Sequence, residues 1–405
     1  MAGLYFFANF QRVGVPSAVF DQVQSDFHVP AAAVTALAAV FLYVYAGLQL
    51  FIGAGADRFG PAKMVLVGGA LLAAGSILFP LAGSMTTLYL CRALVGLGAS
   101  FMYLSIIKEI VNIFEARLFA PLLGMLLVIG YSGGLAATAP LQRSVAAYGW
   151  RAPFVAAGIA CLVVYIFVAV LLKGSGRIAR ERSGLSAASV KALLGTRSIY
   201  PILVSGAINF ALYYVLQITV GKKFLEDYCN LSSEAAANVM FAMLFTVVAG
   251  YLVGGFLPRL AGNRRRPFII ATSTGVFVAS AGLAWGVLIG AGPWWFIVSY
   301  IVLAATNTSA LIGTALLKEV SRPRTAAFAV GILNAASYAC VAVASNAAGL
   351  VLDAFAADAR VTEKAVIYPA AAYGWMFAGM VAFSAVSLAA SFFVPETLGS
   401  QSAED

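Results

Sequence analysis

The chain is a succession of long apolar runs broken by short polar segments. Runs of membrane length fall at 3–23, 32–53, 64–83, 87–108, 119–141, 152–173, 198–220, 234–257, 267–290, 294–317, 325–351 and 372–394. Each approaches the roughly 20 helical residues needed to cross a hydrocarbon core about 30 Å thick. The pattern predicts an all-α membrane protein with twelve transmembrane helices.

Composition sharpens that picture. Of 405 residues, 62% are hydrophobic and 10% charged, against about 25% charged in soluble domains. Twelve spans take up about 264 residues, so loops and tails average about 11 and no separate extramembrane domain fits. The net charge of +9 comes from basic residues in short loops, which read as topology determinants and not as a nucleic-acid surface. With the N-terminus placed inside, 17 basic residues fall in inner loops and six in outer loops: Arg143, Arg151, Lys222, Lys223, Arg360 and Lys364. The positive-inside rule then puts both termini in the cytoplasm, with the bilayer of the inner or plasma membrane as surroundings. The first run starts at Leu4 with no basic residue before it and no cleavage site after it, so it reads as a span and not a signal peptide. His28 is the sole histidine and the four cysteines are scattered, which argues against His-ligated metal, a disulfide framework and Ser-His-Asp catalysis. No enzyme, metal or cofactor is expected, and the chain is expected to act as a monomer.

The longest hydrophilic stretch, Lys173 to Arg197, separates six spans from six. It divides the chain into an N-terminal bundle at 1–173, a cytoplasmic linker at 174–197, a C-terminal bundle at 198–394 and a tail at 395–405. Ala-Ala-Tyr-Gly-Trp at 146–150 recurs at 371–375, each copy placed just before the last span of its half, and Lys108-Glu109 recurs as Lys318-Glu319. A duplicated six-span unit predicts two pseudo-symmetric bundles and alternating access around a midplane site.

Gly53-Ala-Gly-Ala-Asp57-Arg58-Phe-Gly60-Pro-Ala-Lys63, between spans 2 and 3, resembles the loop signature of the major facilitator superfamily. Arg92-Ala-Leu-Val-Gly96-Leu-Gly98 resembles its second motif. Within the superfamily, Arg12, Asp26-Phe27, Tyr43, Tyr45 and Gln49 look most like the organic anion and cation symporters. The resemblance implies a gate in which Asp57 pairs with basic partners and with the positive N-terminal end of span 11. Gly53, Arg58, Gly60, Lys63 and Arg117 belong to that gate, with Glu109 or Glu115 as acidic partner. Where related symporters often carry acids, this chain has Gln11 and Ala99. Asp21 is then the one clear proton-coupling candidate near membrane depth; exchange or facilitated movement is expected over strong proton symport, the coupling partner being a counter-anion or, in the alternative, a proton carried by Asp21.

Arg12 lies within span 1, where a charge costs at least about 2.5–3.5 kcal/mol and faces a cavity or a partner. Its planar fork suits carboxylate or phosphate. Asn9 and Gln11 beside it and Tyr45 and Gln49 of span 2 are further candidate substrate contacts of the first half; Arg92 of span 4 is a candidate as well, although the resemblance implies that it more often organises helices or couples conformation than grips substrate. The second half offers neutral groups instead: Asn209, Tyr213 and Gln217 in span 7, Asn307 in span 10, and Asn334 and Tyr338 in span 11. The set implies a cavity cationic on one half and hydrogen-bonding on the other. Gly130-Tyr-Ser-Gly133-Gly134 spells a hydrolase nucleophile pattern, but it sits mid-span with no strand before it, so its glycines read as helix-packing positions. The expected function is secondary transport of a small organic anion, a carboxylate foremost. The alternatives are export of drugs or neutral solutes, and a transporter-fold membrane sensor.

Overall fold

The computed structural model describes residues 1–114, 116–174, 195–254, 262–307, 309–321, 325–362 and 365–398, with the side chains of 50, 53–58, 111, 116–121, 174, 252–254, 309–311 and 326–327 outside the description. The chain divides into two compact units, Met1–Gly184 and Leu185–Asp405. Helices account for nearly all the described residues of both.

In the first unit the helices are α1 (Ala2–Gly14), α2 (Phe20–Phe27), α3 (Ala31–Phe59), α4 (Pro61–Leu78), α5 (Met85–Ser100), α6 (Met102–Ile113), α7 (Ala116–Ala136), α8 (Ala139–Tyr148) and α9 (Arg151–Gly174). The second unit holds α10 (Ile199–Val215), a π-turn at Leu216–Val220, α11 (Gly221–Asp227), α12 (Ser233–Gly254), α13 (Arg266–Leu288), α14 (Pro293–Thr306), α15 (Ser309–Glu319), α16 (Ala326–Ala354) and α17 (Ala370–Ser391). Two short antiparallel strands, β1 (Arg360–Val361) and β2 (Val366–Ile367), form a hairpin before α17. Among the described residues ten helical stretches are long and apolar enough to span a bilayer. The other two predicted spans are the first and the tenth: α1 stops at Gly14 before Pro16, and α14 stops at Thr306. Pro16 lacks an N–H and its ring excludes a continuing helix, which accounts for the first break.

The two units repeat one packing scheme. In the first, α1 lies on α7, α5 on both α3 and α4, and α4 on α9; in the second, α10 lies on α16, α14 on both α12 and α13, and α13 on α17. Spans 1 and 5, 2 and 4, 3 and 4, and 3 and 6 thus pair as spans 7 and 11, 8 and 10, 9 and 10, and 9 and 12 do. Two pseudo-symmetric bundles follow from these pairings. The repeated pentapeptide does not mark equivalent positions, however. Its first copy ends before α9, with Trp150 buried and Tyr148 exposed, whereas its second lies inside α17, with Tyr373 buried and Trp375 exposed.

Small residues set the closest approaches. A Cβ on Gly133 of α7 would lie 2.0 Å from the backbone oxygen of Phe6 in α1, and one on Gly130 would lie 2.2 Å from the Tyr5 ring. The hydrolase-like glycines therefore serve helix contact, as expected for packing in an apolar solvent.

One placement differs from the sequence reading. Lys222 and Lys223, assigned there to an outer loop, belong to α11 and are buried, and span 7 runs on to Asp227. The loop reading failed because a polar Lys-Lys-Phe-Leu-Glu-Asp stretch ends the apolar run, while its i,i+4 charges neutralise each other on one helix face. Removing both lysines from the outer count leaves four basic residues there.

Candidate functional site

In the first unit the site grows from the break after α1. Helix termination at Gly14 leaves the carbonyls of Gln11 and Val15 without the usual amide four residues on. Arg92 of α5, fully buried, supplies the donors: Nη1 to Gln11 O at 2.9 Å, Nη2 to Val15 O at 3.5 Å, and Nε to Leu37 O of α3 at 3.0 Å. Its guanidinium also lies 4.7 Å from the Phe41 ring centre. Three backbone carbonyls and an aromatic face thus surround the second motif's arginine, which ties α1, α3 and α5 together.

Arg12 stands on the same helix and is 4% exposed. Its Nη2 donates to Asn9 Oδ1, and Asn9 Nδ2 donates to Tyr5 O at 2.9 Å. Asn9 therefore aligns the guanidinium by accepting from it. The amides of Gln11 and Gln49, 1% and 2% exposed, hydrogen-bond no group among the described residues. A buried amide without a partner costs about 1–3 kcal/mol, so such groups invite water or ligand. Tyr45, also buried, stacks on Phe41 with ring centres 6.0 Å apart.

In the second unit three predicted residues meet. Asn209, Asn307 and Asn334 line one cavity of about 60 Å³ together with Ser337 and Thr314. Asn209 is engaged at both ends: Nδ2 donates to Ser273 Oγ at 3.0 Å, and Oδ1 accepts from Ser387 Oγ at 2.6 Å. Asn307, 3% exposed at the interruption between α14 and α15, has an amide with no partner among the described residues. Tyr213 and Gln217 lie elsewhere. The Tyr213 hydroxyl donates to Gln217 Oε1 at 3.4 Å and Gln217 Nε2 to Met240 O at 3.2 Å, which fixes both against α12. Tyr338 packs edge-on against Phe210 at 5.1 Å.

Of the predicted gate residues, Gly60 turns the chain at φ +87° before Pro61 opens α4, Lys63 is exposed, and Glu109 is buried on α6. Glu115 and the side chains of Gly53, Asp57, Arg58 and Arg117 lie outside the described residues. Arg265, just before α13, pairs with Glu319 of α15 at 2.9 Å, and the Thr397 hydroxyl also donates to Glu319. Glu319 is the repeat partner of Glu109 in the sequence.

Asp21 lies half-buried in the first turn of α2. The more deeply buried acid is Asp227 of α11, which the sequence reading missed. Its Oδ1 pairs with Lys223 at 2.9 Å, with side-chain exposures of 2% and 1%. Its Oδ2 accepts from Tyr368 N at 3.0 Å and the Tyr373 hydroxyl at 2.7 Å. Beside it Lys222 pairs with Glu226 at 2.7 Å and donates to Ser233 Oγ at 2.8 Å. The i,i+4 spacing of Lys222 with Glu226 and of Lys223 with Asp227 was the signal available in the sequence.

Comparison with known proteins places this geometry. "Multidrug resistance protein 2" of Bacillus subtilis is 24% identical over 268 residues, covering 64% of this chain and 66% of that protein. "Probable sulfoacetate transporter SauU" of Cupriavidus necator is 25% identical over 307 residues, covering 70% and 69%. The chain thus spans about two thirds of the length of these relatives. A bacterial homolog of the human lysosomal transporter Spinster, solved in an inward-facing and unoccupied conformation, superposes with a TM-score of 0.74 at 18% identity, covering 97% of this chain and 94% of that one. The Major Facilitator Superfamily profile matches residues 1–345. With two pseudo-symmetric helix bundles and that profile over most of its length, this chain belongs to the Major Facilitator Superfamily and is a membrane transporter.

Proposed function

We propose that the protein moves a small organic anion, a carboxylate foremost, across the cell membrane by alternating access. Arg12 carries this reading. Its guanidinium is buried within a span, oriented by Asn9, and flanked in sequence by Gln11, whose amide lacks a partner among the described residues. A cation in a low-dielectric setting favours anions and repels cations. The name of the Cupriavidus relative, a sulfoacetate transporter, agrees with such a cargo. Arg92 serves as the organiser of the broken first span, because its donors already meet carbonyls. In the second unit Asn307 offers a neutral hydrogen-bonding contact. The Asp57 loop acts as the gate, and both termini face the cytoplasm. Coupling proceeds by exchange or facilitated movement, since Asp227 is held in an ion pair with Lys223.

Uptake of labelled carboxylates into proteoliposomes, measured beside binding to the purified protein, tests the proposal. Arg12→Lys keeps the charge and loses the fork, so affinity should fall tenfold or more, in line with about 1.5–3 kcal/mol for a charged hydrogen bond. Unchanged transport in Arg12→Ala removes Arg12 from the site, and binding without uptake makes the protein a sensor. The Bacillus relative's name favours a second reading, drug export. Uptake of neutral or cationic drugs with no response to organic acids would select it.

A further inference from the structure

Arg264, Arg265 and Arg266 run consecutively into the start of α13 and take different directions. Arg265 turns inward to Glu319. Arg264 and Arg266 stay exposed and line an open cavity of about 660 Å³ walled by Pro267, Ile270 and Ala271. Glu396 lies in the same cavity, but both its oxygens are engaged by backbone. Oε1 accepts from the amides of Arg265 at 2.7 Å, Thr397 at 3.2 Å and Leu398 at 3.4 Å, and Oε2 accepts from the Arg266 amide at 3.1 Å. The carboxylate caps the helix through these backbone amides. Arg266 Nη2 donates to Phe392 O at 2.6 Å, which pins that guanidinium at the rim with further N–H groups to offer.

Along α13 the cavity continues into an exposed stripe: Ala271, Thr274, Val278 and Trp285. Spacings of three, four and seven keep these on one helix face. The Thr274 hydroxyl bonds back to Ile270 O at 2.9 Å, so the polar atom is satisfied within the helix. A two-arginine rim at the head of an apolar, bilayer-length face matches a ligand with an anionic head and acyl chains. A free inorganic anion would use the arginines alone and leave that face unused.

We propose that this cavity binds the headgroup of an anionic phospholipid, with the phosphate held between Arg264 and Arg266 and the acyl chains laid along α13. Guanidinium forks suit phosphate oxygens, and basic residues at a bilayer surface attract anionic lipid. The test is titration of the full-length protein in neutral detergent with dioleoyl phosphatidylglycerol, bound lipid being counted by native mass spectrometry. Phosphatidylcholine and inorganic phosphate serve as comparison probes. Phosphatidylglycerol should bind at one tight site, and the double variant Arg264→Gln with Arg266→Gln should weaken it about 30-fold. Arg264→Glu, at an exposed side chain, should weaken it at least as much while leaving the melting temperature in phosphatidylcholine unchanged. Equal binding of phosphatidylcholine, undiminished binding by the variants, or displacement of the lipid by millimolar inorganic phosphate would each overturn the proposal.

Discussion

Asp227→Asn replaces one oxygen of a fully enclosed carboxylate with an amide and leaves everything else the same size. In the native protein Asp227 meets Lys223 at 2.9 Å, Tyr368 N at 3.0 Å and the Tyr373 hydroxyl at 2.7 Å, with both charged side chains about 98% buried. The asparagine oxygen can still accept from Tyr368 and Tyr373, but its NH2 then faces the Lys223 ammonium, donor against donor. The change therefore isolates the charge. Stranding a buried partner costs about 3–5 kcal/mol, because desolvation of Lys223 is no longer offset. Tyr373→Phe removes one hydrogen bond to a charged acceptor and should cost about 1.5–3 kcal/mol. Adding Lys223→Met to Asp227→Asn removes the stranded charge, so the double variant should recover most of the loss. Equilibrium denaturation in detergent, followed by tryptophan emission, measures all four proteins. An asparagine variant within about 1 kcal/mol of wild type, or a double variant no more stable than the single, would refute the idea that this pair is one electrostatic unit.

Other expectations follow from neighbouring geometry. Gly133→Ala should destabilise by about 1–3 kcal/mol, since its Cβ would meet the Phe6 carbonyl at 2.0 Å, whereas Gly124→Ala, with nothing within 4 Å, should be neutral or stabilising; thermal unfolding distinguishes them. Arg92→Lys cannot reach Leu37, Gln11 and Val15 together, so it should cost about 2–3 kcal/mol in denaturation while anion affinity of the folded fraction stays unchanged; normal stability with lost binding would move Arg92 into the site. Burial pushes the Glu396 carboxyl up, but backbone N–H donors from Arg265, Leu398, Arg266 and Thr397 outweigh it and hold the group below its usual range. A depressed carboxyl contributes stability above its unfolded value, and the contribution is lost as pH falls through the folded one. Protease cutting near residue 396 should therefore stay constant from neutral pH down to about 4.5 and rise below it, with Glu396→Gln cut readily throughout.

Much of the architecture is legible in the sequence. Twelve apolar runs of span length specify helices because a bilayer leaves no other way to satisfy the backbone, and the first-motif loop together with the arginine motif in span 4 pointed to the superfamily that the profile match shows. Arg12 and Arg92 announced themselves as charges inside apolar runs. Their different surroundings were not written there: both are arginines in spans, and only packing delivers the carbonyls of Gln11, Val15 and Leu37 to one and Asn9 to the other. Asn209 and Asn307 present the same contrast, one held at both ends by Ser273 and Ser387 and the other with no partner among the described residues in the same cavity. The buried Lys223–Asp227 pair escaped because hydropathy registers charge as exposure, whereas a helix face that brings opposite charges together hides both. Local sequence sets where helices form and what chemistry each carries. Which polar groups are consumed by neighbouring helices, and which remain to meet a ligand, depends on contacts between residues far apart in the chain, and no pattern read along one segment contains them.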